Sequence, residues 1–523
     1  MTADVSPPQA EKPANSPPST AGMTTKVVKG SLWTLAGQVA PLAVSLVTTP
    51  FTIRLLGAES YGVLILIGLI PTYLGFADFG MSMASTKFGS EAYAEGDEEK
   101  EGRVVRTAAL IALCTSVPVA AILMIFATQI VELFNVPEAL IGEASLALRI
   151  ASVTFVVNFM CGIFNTPQLA RLRMDLNTVI NAVPRILGLI ATPIVLYLGY
   201  GVIGAVTVLL VASLLNLAGH LLTSSHLLPE LLQLGYVRSR SFPIVKFGFG
   251  IINAGFAGML LGNIEKGLLS GLVSVRSLAH YSVAFSLAAM LTMFSSSMIQ
   301  SLFPAFSRLQ ADERRQHLSN LYSTSTRLVL LCIIPLITFF VFIAEPFFRT
   351  WAGEEFGRES TRPFYFLVIG LSFNMLAYIP TAALMAASKT GVLALVNWVE
   401  VILYLFAAWT LIVSFGILGA AIAWSLRAVV DYLIISIIAT RLNGSKSWIR
   451  AKAKLVLCSL PLLSSLAIGK TFQNLWPIAI VILMLGFLGY GLSVWQFILD
   501  NSEKEYARSL LDKLRTPRPG AKA

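Results

Sequence analysis

Apolar residues in this chain come in long unbroken runs, not in strand-like alternation or one-sided helical stripes. Fourteen runs read as membrane spans: 30–53, 61–83, 107–130, 145–169, 177–198, 201–225, 247–272, 279–304, 322–344, 364–386, 391–414, 416–438, 455–470 and 476–499. A helix needs about 20 apolar residues to cross the hydrocarbon core; the thirteenth run is the shortest. No long polar insert separates them. The pattern predicts an all-α integral membrane protein with 14 transmembrane helices.

The runs repeat weakly. Gly201-Val-Ile-Gly204-Ala205 opens the sixth run, and Gly416-Ile-Leu-Gly419-Ala420 opens the twelfth, 215 residues later. Val28-Lys29 is echoed by Val245-Lys246, and Tyr61 by Tyr281, in the same order. This order predicts two six-helix lobes. An even number of crossings per lobe makes them parallel, related by an axis along the membrane normal. The expected organisation is a disordered cytoplasmic tail (1–24), an N-terminal lobe (25–226), a cytoplasmic linker (227–246), a C-terminal lobe (247–441), a basic linker with two extra helices (442–500) and a second cytoplasmic tail (501–523). Residues 1–24 are rich in Pro, Ser, Ala and Thr and lack the apolar core of a signal peptide.

Composition agrees. The chain is 56% hydrophobic and 13% charged, with mean hydropathy +0.75, whereas soluble domains carry about 25% charged residues. The net charge of +10 invites a nucleic-acid reading, but its distribution opposes it. With both termini cytoplasmic, 28 of the 38 Lys and Arg fall on the cytoplasmic side, six on the far side (Arg54, Arg276, Arg349, Arg358, Arg362, Lys470) and four within spans (Arg149, Arg185, Lys266, Arg427). That asymmetry is the positive-inside pattern of a multi-pass protein of the cytoplasmic (inner) membrane. The five basic residues of 441–454 suit anionic headgroups. Cys114, Cys161, Cys332 and Cys458 stand in apolar runs without ligand spacing and read as small hydrophobes. No phosphate-binding Gly-rich loop with Lys-Ser/Thr occurs, nor any Ser-His-Asp or metal-ligand set. An enzyme, a metal and a bound cofactor are therefore not expected.

The informative residues are those that lipid would reject. Arg185, Glu265, Lys266, Glu400, Arg427 and Asp431 fall inside spans. Each charge at a helix centre costs about 2.5–3.5 kcal/mol on insertion scales. Six together would cost roughly 15–20 kcal/mol, more than a domain's whole stability. They must pair, line a wet path or change protonation. Arg427 and Asp431, four apart on one helix face, are expected to pair with each other. Glu265 and Lys266 point about 100° apart, so each needs its own partner. The polar side chains Gln38, Asn158, Asn165, Asn177, Asn181, Asn216, Asn253 and Asn263 read mostly as interhelical hydrogen-bond donors and acceptors. Asp78, near a cytoplasmic helix end, reads as a cap or a gate. The segment 345–362 reads as the longest far-side connector.

Leu56-Gly57-Ala-Glu-Ser-Tyr61-Gly62, Gly75-Phe-Ala-Asp78-Phe-Gly80, Asn263-Ile-Glu-Lys266, His280-Tyr281-Ser-Val-Ala and Leu302-Phe-Pro304 together resemble the Wzx-type oligosaccharide flippases. These form the polysaccharide-transport branch of the multidrug/oligosaccharidyl-lipid/polysaccharide exporter (MOP) superfamily. Two departures stand out: Glu265 where the family often has Asp, and His280 where Gly commonly precedes the Tyr. The resemblance implies two lobes around a central cavity, working by alternating access. It implies a polyprenyl-pyrophosphate-linked oligosaccharide moved from the cytoplasmic to the periplasmic leaflet for cell-surface polysaccharide biosynthesis. Candidates for holding pyrophosphate or sugar are Arg54, Arg185, Lys266, Arg276 and Arg427; candidates for coupling to H+ or Na+ are Glu265, Glu400 and Asp431. Expected partners are membrane lipids, the lipid-linked substrate, and a polysaccharide polymerase with other assembly proteins. The competing readings are a drug or metabolite cation antiporter of the same superfamily and a non-transporting scaffold for polysaccharide enzymes.

Overall fold

The computed structural model describes residues 20–232, 241–292, 306, 315–443, 448–472, 475–499 and 504–505. Most of the expected tails 1–24 and 501–523, the middle of the linker 227–246, part of the basic linker after 441 and the Leu302-Phe303-Pro304 segment lie outside them. The fold among the described residues is all helix. The elements are α1 (Thr20–Tyr73), α2 (Met81–Ala94), α3 (Glu98–Ile125), α4 (Ala127–Glu132), α5 (Glu138–Phe164), α6 (Thr166–Ala170), α7 (Met174–Tyr197) and α8 (Gly201–Leu227). They continue with α9 (Ser241–Leu272), α10 (Val275–Ala289), α11 (Arg315–Ala352), α12 (Glu354–Ala386), α13 (Thr390–Asn443), α14 (Trp448–Thr471) and α15 (Trp476–Phe497). Nine helices in the described residues are long and apolar enough to cross a membrane, and part of α14 forms a shorter apolar helix.

Two helices are too long for one crossing. Within α13 the apolar stretch Thr390–Arg441 has 52 residues, about 78 Å at 1.5 Å per residue, against a hydrocarbon core of about 30 Å. Gly416 divides it, at φ 58 and ψ −129, so each half matches one expected span. Gly57, at φ 74, divides α1 in the same way. The first glycines of the paired Gly-x-x-Gly-Ala elements share a positive φ. Gly201 stands at φ 54 and Gly416 at φ 58, a region that a Cβ disfavours. Ala205 and Ala420 are both fully buried.

The chain divides into two compact units. One comprises Met1–Leu55, Ile70–Ile130 and Gly142–Asn253. Its core is built largely of small side chains, Ala84, Ala108, Ala109 and Ala112 among them, around Met81 and Ile163. Small residues let helix backbones approach closely where lipid provides no hydrophobic drive. An apolar crevice of about 470 Å³ opens between α7 and α8, lined by Pro184, Leu187, Val195, Val208 and Leu215. The other unit comprises Leu56–Leu69, Val131–Ile141 and Ala254–Ala523. In it α10, α11 and α13 pack on α12, and α14 packs on α11 and α15.

Several expected boundaries move. The second span is predicted to run to 83, but the helix stops at Tyr73. Short turns follow: the N–H groups of Leu74, Ala77, Phe79 and Met81 donate to carbonyls three residues back. Asp78 then sets the start of α2. Its carboxylate accepts from the Gly80 and Ser82 N–H groups at 2.8 and 3.2 Å and from the Ser82 hydroxyl at 2.8 Å. The acidic run after α2 reads as a solvated helix end, and Asp97 does cap α3 by accepting from the Lys100 N–H at 2.7 Å. Glu101 departs from that reading, because it is fully buried against Arg171 at 2.7 Å. The expected connector 345–362 is helical instead. α11 runs to Ala352, α12 begins at Glu354, and Gly353 at φ 109 alone makes the bend.

Candidate functional site

Five of the charged residues predicted inside spans meet in one cluster, on α9 and the two halves of α13. Glu265 of α9 is fully buried. Each of its oxygens accepts one phenol hydroxyl: Oε1 from Tyr281 of α10 at 3.1 Å, Oε2 from Tyr404 of α13 at 2.9 Å. Both tyrosines are themselves buried, so the carboxylate is held by donors that water cannot replace.

Lys266, one residue on, faces a different set of partners. Its Nζ donates to Asn263 Oδ1 at 2.9 Å, one turn back on the same helix. It also lies 4.5 Å from the centroid of the Phe285 ring. Phe285 packs edge-on against Trp424 at 5.3 Å, and the guanidinium of Arg427 sits 5.0 Å from the Trp424 ring. Thus a lysine, two aromatic rings and an arginine stand in contact sequence. Each cation rests on a π face, which supplies electrostatic attraction without a counter-charge.

Arg427 and Glu400 approach to 3.9 Å, with Asp431 beside Glu400. The sequence spacing predicts Arg427 paired with Asp431 along one face; the carboxylate nearest the guanidinium is Glu400, from the other half of the broken helix. Folding at Gly416 brings the two halves side by side, so Arg427 acts both on Asp431 of its own half and on Glu400 of the other. The pair is loose. Arg427 Nε and Trp424 Nε1 are buried and make no hydrogen bond among the described residues, and the Glu400 carboxyl is engaged with that of Asp431. Buried polar atoms are nearly always partnered, by protein or by water. This constellation offers two donors beside a pair of carboxyls to water, an ion or a sugar hydroxyl.

The other candidates lie elsewhere. Arg276, at the start of α10, donates from Nε to Glu355 Oε1 at 2.7 Å, and that oxygen also lies 3.0 Å from His280 Nε2. Arg54 and Arg185 belong to the first unit and are exposed there. Arg185 follows Pro184 within α7, which stays helical through the proline. Asp78, also in the first unit, acts in this structure as a cap.

Sequence reasoning missed a second polar network, inside the first unit. His220 of α8 is fully buried, with Nδ1 3.2 Å from Gln168 Oε1 and Nε2 3.4 Å from Asn181 Oδ1. Asn216 donates to the same Asn181 oxygen at 3.2 Å, and Gln168 donates to Ser224 at 3.4 Å. The sequence places His220 near a helix end, where an interfacial role is the ordinary expectation. The asparagines were visible as interhelical polar groups, but nothing in their spacing points to the histidine.

Comparisons with known proteins agree with this picture. The family described as "Polysaccharide biosynthesis protein" (Polysacc_synt_3) matches residues 52–360. The chain is 21% identical over 421 residues, 80% of its length and 98% of the relative's, to the "Putative O-antigen transporter" of Shigella flexneri. It is 29% identical over 157 residues to the "Probable low-salt glycan biosynthesis flippase Agl15" of Haloferax volcanii, covering 29% of this chain and 32% of that one. In structure it resembles the lipid II flippase MurJ, with TM-score 0.65 and 15% identity over 92% of this chain and all of that one. It also resembles a multidrug resistance MATE family transporter of the MOP superfamily, with TM-score 0.64 and 12% identity over 79% of this chain and 94% of that one. At these identities the structural likeness establishes the membrane-transporter fold.

Proposed function

Because the chain belongs to the polysaccharide biosynthesis protein family, we propose that it is a flippase of lipid-linked oligosaccharide, carrying its cargo from the cytoplasmic to the periplasmic leaflet of the inner membrane. The observation that carries this reading is the cluster of Lys266, Arg427, Glu400 and Trp424, whose polar atoms are only partly satisfied by the protein. A charged, hydroxyl-rich head group needs such an environment to leave water. The polyprenyl tail needs none, because hydrocarbon surrounds the helices. In this reading Lys266 and Arg427 receive the pyrophosphate or the first sugar. Arg54, Arg185 and Arg276 are assigned to its approach or departure. Glu265, Glu400 and Asp431 are the groups through which H+ or Na+ is coupled. Glu400 and Asp431 stand closest to that task, since removing or adding one cation there changes what Arg427 balances. The chain moves its substrate and does not transform it, and hands it to a polymerase and other assembly proteins.

Organic cations are a poorer fit as cargo. They are usually bound on aromatic faces, and here Lys266 and Arg427 already occupy the faces of Phe285 and Trp424. The deciding experiment is reconstitution into liposomes with labelled lipid-linked oligosaccharide in one leaflet. The wild-type chain is expected to equilibrate the label, and Lys266→Ala at matched incorporation to slow it by about tenfold or more, the equivalent of about 1.4 kcal/mol. Equal rates with and without protein would overturn the flippase reading. Equal rates in wild type and variant would remove Lys266 from it.

A further inference from the structure

A second charged hollow lies in the same unit, at the ends of its helices. It measures about 690 Å³ and is formed by the last turns of α11, the first turns of α12, the break in α13 and the last turn of α14. Arg349, Arg358, Arg362 and Lys470 line it, with Glu345 and Glu359 as its acids. Its remaining wall includes Phe415 and Leu418, which flank the break at Gly416.

Most of the charge is accounted for within the protein. Arg349 lies 2.9 Å from Glu345 and 3.6 Å from Glu354, and Arg358 lies 3.0 Å from Glu359. Arg362 and Lys470 have no carboxylate within 4 Å among the described residues, and Glu345, already paired with Arg349, acts on Lys470 from farther away. Lys470 rests on the ring of Tyr365, 3.9 Å from its centroid, which positions the ammonium without neutralising it. The lining carries four bases against two acids beside an apolar wall, and that surplus suits one kind of molecule. It has a phosphate at one end and hydrocarbon at the other. Lys and Arg near a bilayer surface attract anionic lipid head groups, and a guanidinium adds paired donors for phosphate oxygens.

We propose that this hollow is a lipid-phosphate site, separate from the Lys266–Arg427 cluster, with Arg362 and Lys470 as its phosphate-binding residues and Phe415 and Leu418 against the first part of the hydrocarbon chain. The assignment needs only that the chain is a membrane protein and stands whether or not the flippase reading does. A phospholipid headgroup and a polyprenyl phosphate present the same chemistry to it.

The test is native mass spectrometry of the full chain released from detergent with one added lipid: phosphatidylglycerol, a polyprenyl phosphate, or uncharged diacylglycerol; inorganic phosphate alone forms a fourth arm. Wild type is expected to retain a phosphate-bearing lipid over diacylglycerol. The double variant Arg362→Gln/Lys470→Gln is expected to lose that retention by about tenfold or more, about 1.4 kcal/mol, while Arg362→Lys/Lys470→Arg keeps it. Stronger retention of one phosphate-bearing lipid than the other identifies the source. Unchanged retention in the Gln variant, equal retention of diacylglycerol, or binding of inorganic phosphate as tight as that of the lipids would each overturn the proposal. The conservative variant guards against misfolding: if it loses the lipid while remaining monodisperse and equally heat-stable, the assignment of those two cations fails. Arg173→Gln, at an exposed arginine of the other unit, is the charge-removal control and is expected to leave retention unchanged.

Discussion

Arg427 holds together two acids that would otherwise repel each other. Glu400 and the Arg427 side chain are 5% and 11% exposed, and Asp431 lies beside them. Removing one member of a buried charge pair costs about 3–5 kcal/mol, chiefly because the other charge is left uncompensated, whereas removing both is often nearly neutral. Arg427→Gln is therefore expected to lower the thermal unfolding midpoint of the purified protein clearly. Arg427→Gln/Glu400→Gln should recover a large part of the loss while still failing to transport. A double variant no more stable than the single one would show that the pair is not coupled. At this scale the sequence was informative about charges and silent about their neighbours. Glu265, Lys266, Glu400, Arg427 and Asp431 stand out because hydrocarbon rejects them. Tyr404, Phe285 and Trp424 do not, because aromatic residues in an apolar run look like any other buried face. Glu400, the carboxylate nearest Arg427, was missed for a related reason: spacing along one helix cannot reveal a carboxylate that arrives from the other side of a break.

Glycines decide where the elements turn and how closely they pack. A Cβ on Gly62 would meet the Val275 carbonyl oxygen at 1.9 Å, so the second half of α1 lies backbone to backbone against the start of α10. Gly68, six residues on, has no described residue within 4 Å of its would-be Cβ. Gly62→Ala is expected to lower folded yield and thermal stability. Gly68→Ala should be neutral or better, since Ala gains about 0.8–1.0 kcal/mol over Gly in a helix interior. Fluorescence-detected size-exclusion chromatography of the two variants checks the difference, and equal behaviour would mean that the helices can move apart without loss. Each of the fourteen expected runs is helical over most of its described part, because hydrophobic length is a direct consequence of bilayer thickness. The ends were less legible. The segment 345–362 is charged enough to read as a connector, yet charged residues at the first and last turns of helices are also what the membrane surface favours. One glycine was sufficient for the bend.

For the whole molecule, the distribution of Lys and Arg assigns sides to the helix ends. Both termini are proposed to be cytoplasmic. The turn at Gly96 is then cytoplasmic and the bend at Gly353 is on the far side. In a variant lacking Cys114, Cys161, Cys332 and Cys458, Glu354→Cys, at an exposed position beside the bend, is expected to react with a membrane-impermeant maleimide in intact cells. Glu95→Cys, exposed beside the Gly96 turn, should react only after the membrane is opened. The reverse pattern would invert the topology and with it the direction of transport. Gly201 and Gly416, which open the two Gly-x-x-Gly-Ala elements, share a positive φ. Each is the point at which one apolar run must become two.

Trp424 packs its indole beneath the Arg427 guanidinium, with Phe285 at its edge. Indole emission is sensitive to nearby charge, so this tryptophan is an optical reporter placed by the fold inside the cluster. The chain has eight tryptophans. With the other seven replaced by phenylalanine, the remaining emission would register any anion that draws the guanidinium away, in unlabelled protein and on the timescale of a single turnover.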